Sequence, residues 1–482
     1  MSLEEIRQVR IVKLNLLKEK GIDPYPAKVP RDIEISELKN SFDKYVSDKK
    51  QVSIAGRVMV LRGQGAILFA VIFDGTSKIQ AIIKKDVLSE SFKLFVDTVD
   101  VGDFISVTGL PIFSERGESS VMAESWIMAS KSLLPLPDKW EGLQDMEERF
   151  RKRYLDFLGN DELRDLVFKK SKFWDVTRNF LKDRGFLEVE TPTLETTTGG
   201  AEATPFKTHH NDYDLDVYLR ISVGELWQKR LMSAGFPKTF EIGRVYRNEG
   251  TSPEHAQEFT NMEFYWAYAN YVDGMRLVRD MYIEIAKEVF GKTKFTARGH
   301  NFDLSDDWVN IDYSEEILKQ TGLDIRIADE DQMKKKLQEL KVEYDGQNRE
   351  RLTDTLWKYC RKNISGPAFL INHPVLIAPL AKSVIGQNTV QMFQPIIAGS
   401  EVGRGYSELN DPIDQKERFE AQQKLIDEGD SEAMMADYEF VEMLEYGMPP
   451  TCGFGFGERL FSLLADKPLR ELQTFPLMRP KK

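Results

Sequence analysis

The sequence predicts an α+β chain in two parts: a small five-stranded β-barrel near the N-terminus, then a larger domain in which an antiparallel sheet is flanked by helices. Three observations carry that expectation. Residues 51–130 read as short alternating strands separated by turn signals. From about residue 143 onward, amphipathic helices are interleaved with strands that carry charge where an ordinary sheet carries valine and isoleucine. At 482 residues the chain also exceeds what one hydrophobic core fills.

Residues 1–20 read as an amphipathic helix closed by Gly21, and Pro24, Pro26 and Pro30 keep the next ten residues from forming another. Five strands come next, QVSIAGRVMVLR, AILFAVIFD, KIQAIIKK, DFISVTGLPIFS and SSVMAESWIMAS, with DGTSK and SERGESS among the turns. Such a run suits a Greek-key barrel of the OB type, which offers a face to single-stranded nucleic acid; a purely structural barrel is the alternative that composition leaves open. LPLPDKWEG (134–142) reads as a stiff linker, dividing the chain into 1–142 and 143–482. Beyond it, RDLVFKKSKFWDVTRNFLKDRG is a helix stopped at Gly185, and FLEVETPTL is extended because Pro192 excludes helix. A charged hairpin comes after it, then a polar helical stretch over roughly 275–366 and a final strand-rich segment.

Composition narrows the function. With 41% hydrophobic and 30% charged residues and no low-complexity tract, the chain is of the globular class. No apolar run approaches the roughly 18 residues of a membrane span, and the N-terminus lacks the apolar core of a signal peptide, so a cytoplasmic location and no membrane partner are expected. Cys360 and Cys452 are too few for a disulfide framework or a cysteine zinc site. The net charge of −12 argues against nucleic acid as a partner of the whole surface but allows a local basic patch, and the first thirty residues are net basic.

The hairpin RVYRNEGTSPEHAQEFTNMEFYW (244–266) is the first site signal. With strands 239–249 and 258–266, alternation sets Arg247 and Glu249 on one face, and Phe259, Asn261, Glu263 and Tyr265 on one face of the partner strand. Met262, Phe264 and Trp266 point the other way, toward a core. A solvent face of weak cross-strand ion pairs leaves Phe259 and Tyr265 unexplained, so a binding cavity is the better reading. Arginine suits a phosphate, an aromatic stacks on a base and a carboxylate takes an exocyclic amine, which together suggest ATP. The second signal is TCGFGFGERLFSLL (451–464): alternating glycines let a ligand approach the backbone, and the strand runs into a helix with Arg459 in its first turn, an anion site. The spacing is not that of a GxGxxG dinucleotide loop.

With GFLEVETPTL (185–194), these segments resemble the three signature motifs of the class II aminoacyl-tRNA synthetases. Over nearly the whole chain the resemblance sharpens to the lysyl-tRNA synthetases, through LPLPDKWEGLQDMEERFRKRYLD, TGGAEATPFKTHHN, YLRISVGELWQKRL, FEIGRVYRNEG, HPVLIAPLAK, GYSELNDPIDQ and FPLMRPKK. The resemblance implies an OB-fold anticodon-binding domain ahead of a class II catalytic domain, activation of L-lysine with ATP and magnesium, transfer to tRNA(Lys), and a homodimer whose interface motif contains Pro192. It also implies roles. Arg247 and Arg459 would be catalytic. Arg247 would hold the α-phosphate and the substrate carboxylate, Glu249 the adenine amine, Phe259 the ring, and His255 and Arg459 the distal phosphates. Gly200 and Glu263 would take the α-ammonium, and Glu225, Tyr265 and Glu408 the side-chain ammonium, with Tyr406 along the stem. Arg62, Phe69 and Gln80 would read the anticodon, Phe69 by stacking. An uncharged analogue would leave the carboxylates unpaired, which supports discrimination of about ten-thousandfold without editing.

Two departures bear on the metal. Gln394 stands where the family usually has glutamate, and Arg404 where it has asparagine. Glu401 is then the better magnesium ligand and Gln394 a doubtful one, while Arg404 is expected to replace part of the missing cationic charge, the alternative being that it points away, since Gly403 and Gly405 make a bulge possible. Within the same subclass, aspartate- or asparagine-specific enzymes are the alternative, but they would place an arginine where Glu408 stands. A catalytically inactive OB-fold tRNA-binding protein is the alternative outside the enzymes, and the retained Arg247, Glu249, Phe259 and Arg459 speak against it.

Overall fold

The computed structural model describes the whole chain apart from residues 138–142, 201–202, 251, 253–254, 345–347, 428–433 and 482. It forms two compact units, Met1–Gly159 and Asn160–Lys482. Most of the linker expected at 134–142 lies outside the described residues. The short helices Met146–Arg151 and Arg153–Gly159 fall in the first unit, whereas a division at 142 would assign them to the second.

The first unit opens with helix α1 (Leu3–Glu19). Ser2 and Glu5 close its N-terminus as a reciprocal capping box, and Gly21 follows its C-terminus at a positive φ. The strands β1 (Val52–Gln64), β2 (Ile67–Phe73), β3 (Lys78–Lys84), β4 (Phe104–Phe113) and β5 (Ser119–Ser130) close a barrel in the order β1-β2-β3-β5-β4. Alternate residues fill its interior, Val52, Ile54, Val58, Ala70, Ile72, Ala81, Ile83, Ile105 and Val107 among them. One polar knot ties α1 to the barrel. The buried Lys131 ammonium lies 2.8 Å from Asp103 and 2.6 Å from Asp100, Asp103 also accepts from the Ser132 amide and hydroxyl, and Arg10 donates to Ser132 Oγ at 2.7 Å.

The second unit is built on a nine-stranded sheet. Its path runs Val309–Asp312, Ala368–Ile371, Met392–Ile397, Arg404–Ser407, Thr451–Gly457, Glu258–Ala267, Lys238–Tyr246, Leu187–Glu188, with Ser400–Glu401 pairing off it. Only the two outermost pairings of this path are parallel. Helices Asp161–Lys182, capped by the Asn160 side chain, and Tyr271–Phe290, capped by Asn270 and Asp273, contribute Phe173, Phe180, Val278, Met281, Tyr282 and Ile285 to the core beneath Met262, Phe264, Phe454 and Phe456. The stretch 275–366, expected to be helical, is mixed. It includes most of that core helix and three short strands, one of which, Val309–Asp312, extends the central sheet. Short strands in a polar context carry too few residues for alternation to separate them from helix or loop.

Asp103→Ala would leave the Lys131 ammonium buried beside Asp100 alone. The expected cost is about 3–5 kcal/mol, seen as a lower urea midpoint; an unchanged midpoint would show that the knot is not needed to hold the first unit together.

Candidate active site

Two rows of functional side chains face each other across a row of glycines. In Thr451–Gly457 the apolar side chains Cys452, Phe454 and Phe456 alternate with Gly453, Gly455 and Gly457. On one side Tyr265, Glu263 and Asn261 stand opposite these three glycines, and on the other Tyr406 and Arg404 stand opposite Gly453 and Gly455. Paired residues of neighbouring strands share a face, so the glycines floor a cleft of about 330 Å³. A Cβ on Gly453 would lie 2.0 Å from Glu408 Oε1 and 2.6 Å from the Tyr265 ring, so no larger residue fits there. At the rim, Gly200 has φ +86°, and a Cβ on it would lie within 2.7 Å of both Ser222 Oγ and the Glu225 side chain.

The cleft brings together Gly200, Glu225, Arg247, Glu249, His255, Phe259, Glu263, Tyr265, Gln394, Glu401, Tyr406, Glu408 and Arg459. The expected hairpin differs in one respect: its first strand ends at Tyr246, not at 249. The Arg247 amide still bonds the Gln257 carbonyl at 2.8 Å, but the Asn248 amide turns to the Thr204 carbonyl and draws the chain out of the ladder, with Glu249 beyond it.

Cations gather in one part. The Arg247 guanidinium lies 5.4 Å from the Phe259 ring centroid. Burial pulls it below its ordinary value; Glu249 and Glu263 oppose that shift, while Arg459 and Arg404 add to it. Arg459 donates to the Glu401 carbonyl at 3.2 Å and lies 3.2 Å from His255 Nε2. Arg459 opens the short helix Arg459–Ala465 directly after the glycine strand, so the cation of the expected anion site is its guanidinium. Glu401 Oε1 accepts from Trp357 Nε1 at 2.6 Å. Gln394 is buried, its Oε1 2.9 Å from His373 Nε2, and burial pushes that imidazole down to about 3 against the Gln394 hydrogen bond, keeping it neutral.

Acids gather in the other part. Glu263 accepts from the Val223 amide (2.8 Å), Asn261 Nδ2 (3.1 Å) and the Tyr265 hydroxyl (3.1 Å). Glu225 Oε1 accepts from the Tyr406 hydroxyl. Burial, reinforced by Glu225, pushes Glu263 up to about 7; burial pushes Glu408 up to about 8, with Lys229 opposing and Glu225 reinforcing.

Lys229, to which the sequence alone gives no role, sits among these acids, 2.8 Å from Glu225 and 2.5 Å from Glu408. The spacing Glu225-x-x-x-Lys229 on a helix is the signal that points to it. Trp357 and His373 give no such signal, because they reach the site from segments distant in sequence.

In the barrel, Arg62 and Phe69 are direct partners across β1 and β2. Gln80 is only 4% exposed; its Oε1 accepts from Arg62 at 3.3 Å and its Nε2 donates to Ser120 Oγ at 3.0 Å, so it steadies Arg62.

Residues 145–479 match the family model for class II tRNA synthetases (D, K and N), and residues 52–129 match that for the OB-fold nucleic acid binding domain. Among curated relatives, the lysine–tRNA ligase of Thermotoga maritima is 42% identical, covering 100% of this chain and 97% of its own length. That of Roseiflexus sp. is 42% identical with 100% of both chains covered, and that of Listeria innocua 41% with 98% and 97% covered.

The raised carboxyls set a pH dependence. The folded, empty cleft keeps protons on Glu263 and Glu408 that the unfolded chain releases near pH 4.3. Their stabilising contribution is therefore complete below that pH and is lost as pH rises through about 7 to 8. Thermal unfolding should occur at lower temperature at pH 8.5 than at pH 6, by on the order of a few degrees, and Glu263→Gln should flatten that slope; equal slopes in the two proteins would exclude Glu263 as its source.

Proposed function

The chain belongs to the class II tRNA synthetases (D, K and N), in the lysyl branch, and we propose that its cleft joins lysine to ATP before the lysyl group passes to tRNA(Lys). In the first step a carboxylate oxygen of lysine forms a bond to the α-phosphorus while the bond to pyrophosphate breaks; in the second, a terminal ribose hydroxyl of tRNA takes the lysyl group and AMP leaves. The first step needs little proton transfer, so positioning and charge neutralisation carry most of the rate. We assign Arg247 to the α-phosphate and the substrate carboxylate, His255 and Arg459 to the distal phosphates, Phe259 and Glu249 to the adenine, and Gly200 and Glu263 to the α-ammonium. Glu225, Tyr265 and Glu408 take the ε-ammonium and Tyr406 lines the stem.

One observation carries the substrate: three buried carboxylates, Glu225, Glu263 and Glu408, open on the same cleft as Arg247. The aspartate and asparagine members of the family act on an anionic or neutral side chain, which such a pocket would repel or leave unpaired. In the barrel, Arg62 and Phe69 are the residues we assign to the anticodon, with Gln80 behind Arg62. A homodimer is supported by the motif around Pro192 and by the half-exposed Leu187 and Leu194 that flank it. No helix among the described residues is long and apolar enough to cross a membrane; a cytoplasmic location belongs to the proposed reading.

Magnesium supplies positive charge at the phosphates when it is bound. Among the described residues no three of His, Cys, Asp and Glu are placed so that they could together hold a metal ion. Glu401 is one carboxylate on the cleft, and one carboxylate plus substrate phosphates is an ordinary set for magnesium; the donors thus suit an ion that arrives with the nucleotide and is held by Glu401. Gln394 cannot add charge, and its amide oxygen is engaged with His373. Arg404 lines the same cleft and supplies a fixed cation there.

Amino-acid-dependent ATP–pyrophosphate exchange tests the substrate: exchange with lysine alone is expected, and exchange only with aspartate or asparagine would overturn the reading. Glu408→Gln should raise the lysine KM by about a hundredfold or more. Arg404→Asn should raise the magnesium concentration needed for half-maximal ATP binding several-fold, measured by equilibrium binding without turnover; an unchanged requirement would remove the role given to Arg404.

A further inference from the structure

Lys229 stands where a substrate ammonium would be expected. It projects from helix Glu225–Ser233, its side chain is 1% exposed, and its ammonium bridges Glu225 Oε1 and Glu408 Oε2. Aromatic rings surround it, with Tyr406, Phe440 and Tyr265 centroids at 5.5, 5.8 and 5.9 Å. A lysine so enclosed is held in place by packing as well as by charge. It takes up one oxygen of each carboxylate. The other oxygens point toward the glycines: Glu225 Oε2 lies 2.7 Å from where a Gly200 Cβ would be, and Glu408 Oε1 lies 2.0 Å from where a Gly453 Cβ would be.

The charges then balance in a specific way. The ionisable groups around Lys229 are Glu225 on its own helix, Glu408, and the Tyr265 and Tyr406 phenols, with Glu263 behind Tyr265 and Arg247 beyond Glu263. The phenols are held protonated, chiefly by burial. Of the cleft's arginines, Arg247 is reserved for the substrate carboxylate, and Arg404, which also acts on the Tyr406 phenol, and Arg459 for the phosphates, so three carboxylates against one ammonium leave a deficit of two positive charges. We propose that Lys229 is a specificity-determining positioning residue, a built-in counter-cation that fixes one oxygen of Glu225 and one of Glu408 and sets the pocket's deficit at two, the number of ammonium groups a diamino acid brings. The inference rests on the reading of this cleft as a lysine site.

Without Lys229 the deficit becomes three. Bound lysine cancels two charges, and the third carboxylate must hold a proton in the complex. Lys229→Met should therefore raise the lysine KM by about tenfold or more at pH 8, the equilibrium effect of about one pH unit of misplaced protonation, with kcat for pyrophosphate exchange changed much less. The defect should shrink toward pH 6, where the extra proton is available. Ethylammonium chloride should lower the variant's KM, and sodium chloride at equal ionic strength should not. The double variant Lys229→Met/Glu408→Gln has a deficit of two again, so its KM, although raised by the lost carboxylate, should recover the wild-type pH dependence; it also avoids an unpaired Glu408, so it serves if the single variant fails to fold. An unchanged KM and pH profile in Lys229→Met, a loss that neither pH nor ethylammonium modifies, or a double variant that keeps the single variant's pH profile would each overturn the proposal. Absence of lysine-dependent exchange in the unaltered protein would instead overturn the lysine reading.

Discussion

Burying three carboxylates around one cleft is the constraint that the rest of the larger unit answers. An ion taken out of water costs several kcal/mol unless hydrogen bonds and opposite charge replace its hydration. Here each carboxylate receives its own compensation. Glu263 takes a backbone amide, a side-chain amide and a phenol. Glu225 takes the Tyr406 phenol and shares Lys229 with Glu408. What remains uncompensated appears as raised affinity for protons, toward about 7 at Glu263 and about 8 at Glu408. On the proposed reading, the substrate's ammonium groups take the place of those protons, so that binding and proton release would be one exchange.

That arrangement needs a frame that does not yield, because carboxylates free to move apart would relieve their repulsion without a substrate. The antiparallel sheet provides it. The glycine strand lies hydrogen-bonded between the two strands that carry Glu263, Tyr265, Arg404 and Tyr406, and its phenylalanines lock the opposite face into the core. The hairpin is pinned from its far side as well: Arg220 pairs with the buried Glu241 at 2.6 Å, and Glu241 Oε2 accepts from the amide and hydroxyl of Thr191, the residue before Pro192. Glu458, at the end of the glycine strand, takes the Thr260 amide, Lys170 and Gln473. Each of these two carboxylates, Glu241 and Glu458, has its own cation or amide donors, unlike Glu263 and Glu408, which face the cleft and hold protons more tightly than usual.

How much of this was legible in the sequence depended on whether a feature was local. Period-2 alternation gave the five barrel strands and the hairpin face that carries Phe259, Asn261, Glu263 and Tyr265. Glycine alternation gave the cleft floor. The resemblance supplied what alternation could not, namely that Gly200, Glu225, Glu401 and Glu408 belong beside them. Features made by contacts between distant segments stayed hidden: His373 against Gln394, Trp357 against Glu401, and the edge strand Val309–Asp312, which pairs with the distant Ala368–Ile371. Gln80 shows a different limit. The resemblance implies that it reads bases, and the side-chain packing adds that Arg62 and Ser120 hold its amide in place. Lys229 was missed although its signal was local, because a Glu and a Lys four residues apart on a helix are ordinarily a solvated pair; burial, which the sequence does not display, is what changes its meaning.

The same burial bears on discrimination. A pocket that rejects neutral side chains by leaving carboxylates unpaired does so only while those carboxylates are ionised, since a protonated carboxyl sits beside an apolar group at far lower cost. Raised proton affinity therefore limits selectivity from below: the more repulsion among Glu225, Glu263 and Glu408, the more readily a proton takes the place of the correct ligand. An internal ammonium relieves that repulsion for Glu225 and Glu408 without occupying the oxygens that face the glycine floor. Lys229 opposes proton uptake by Glu408, and ionised carboxylates are what make an uncharged analogue costly to admit. On the proposal made above, the fixed cation is part of the recognition of the mobile one, and three aromatic rings enclose it.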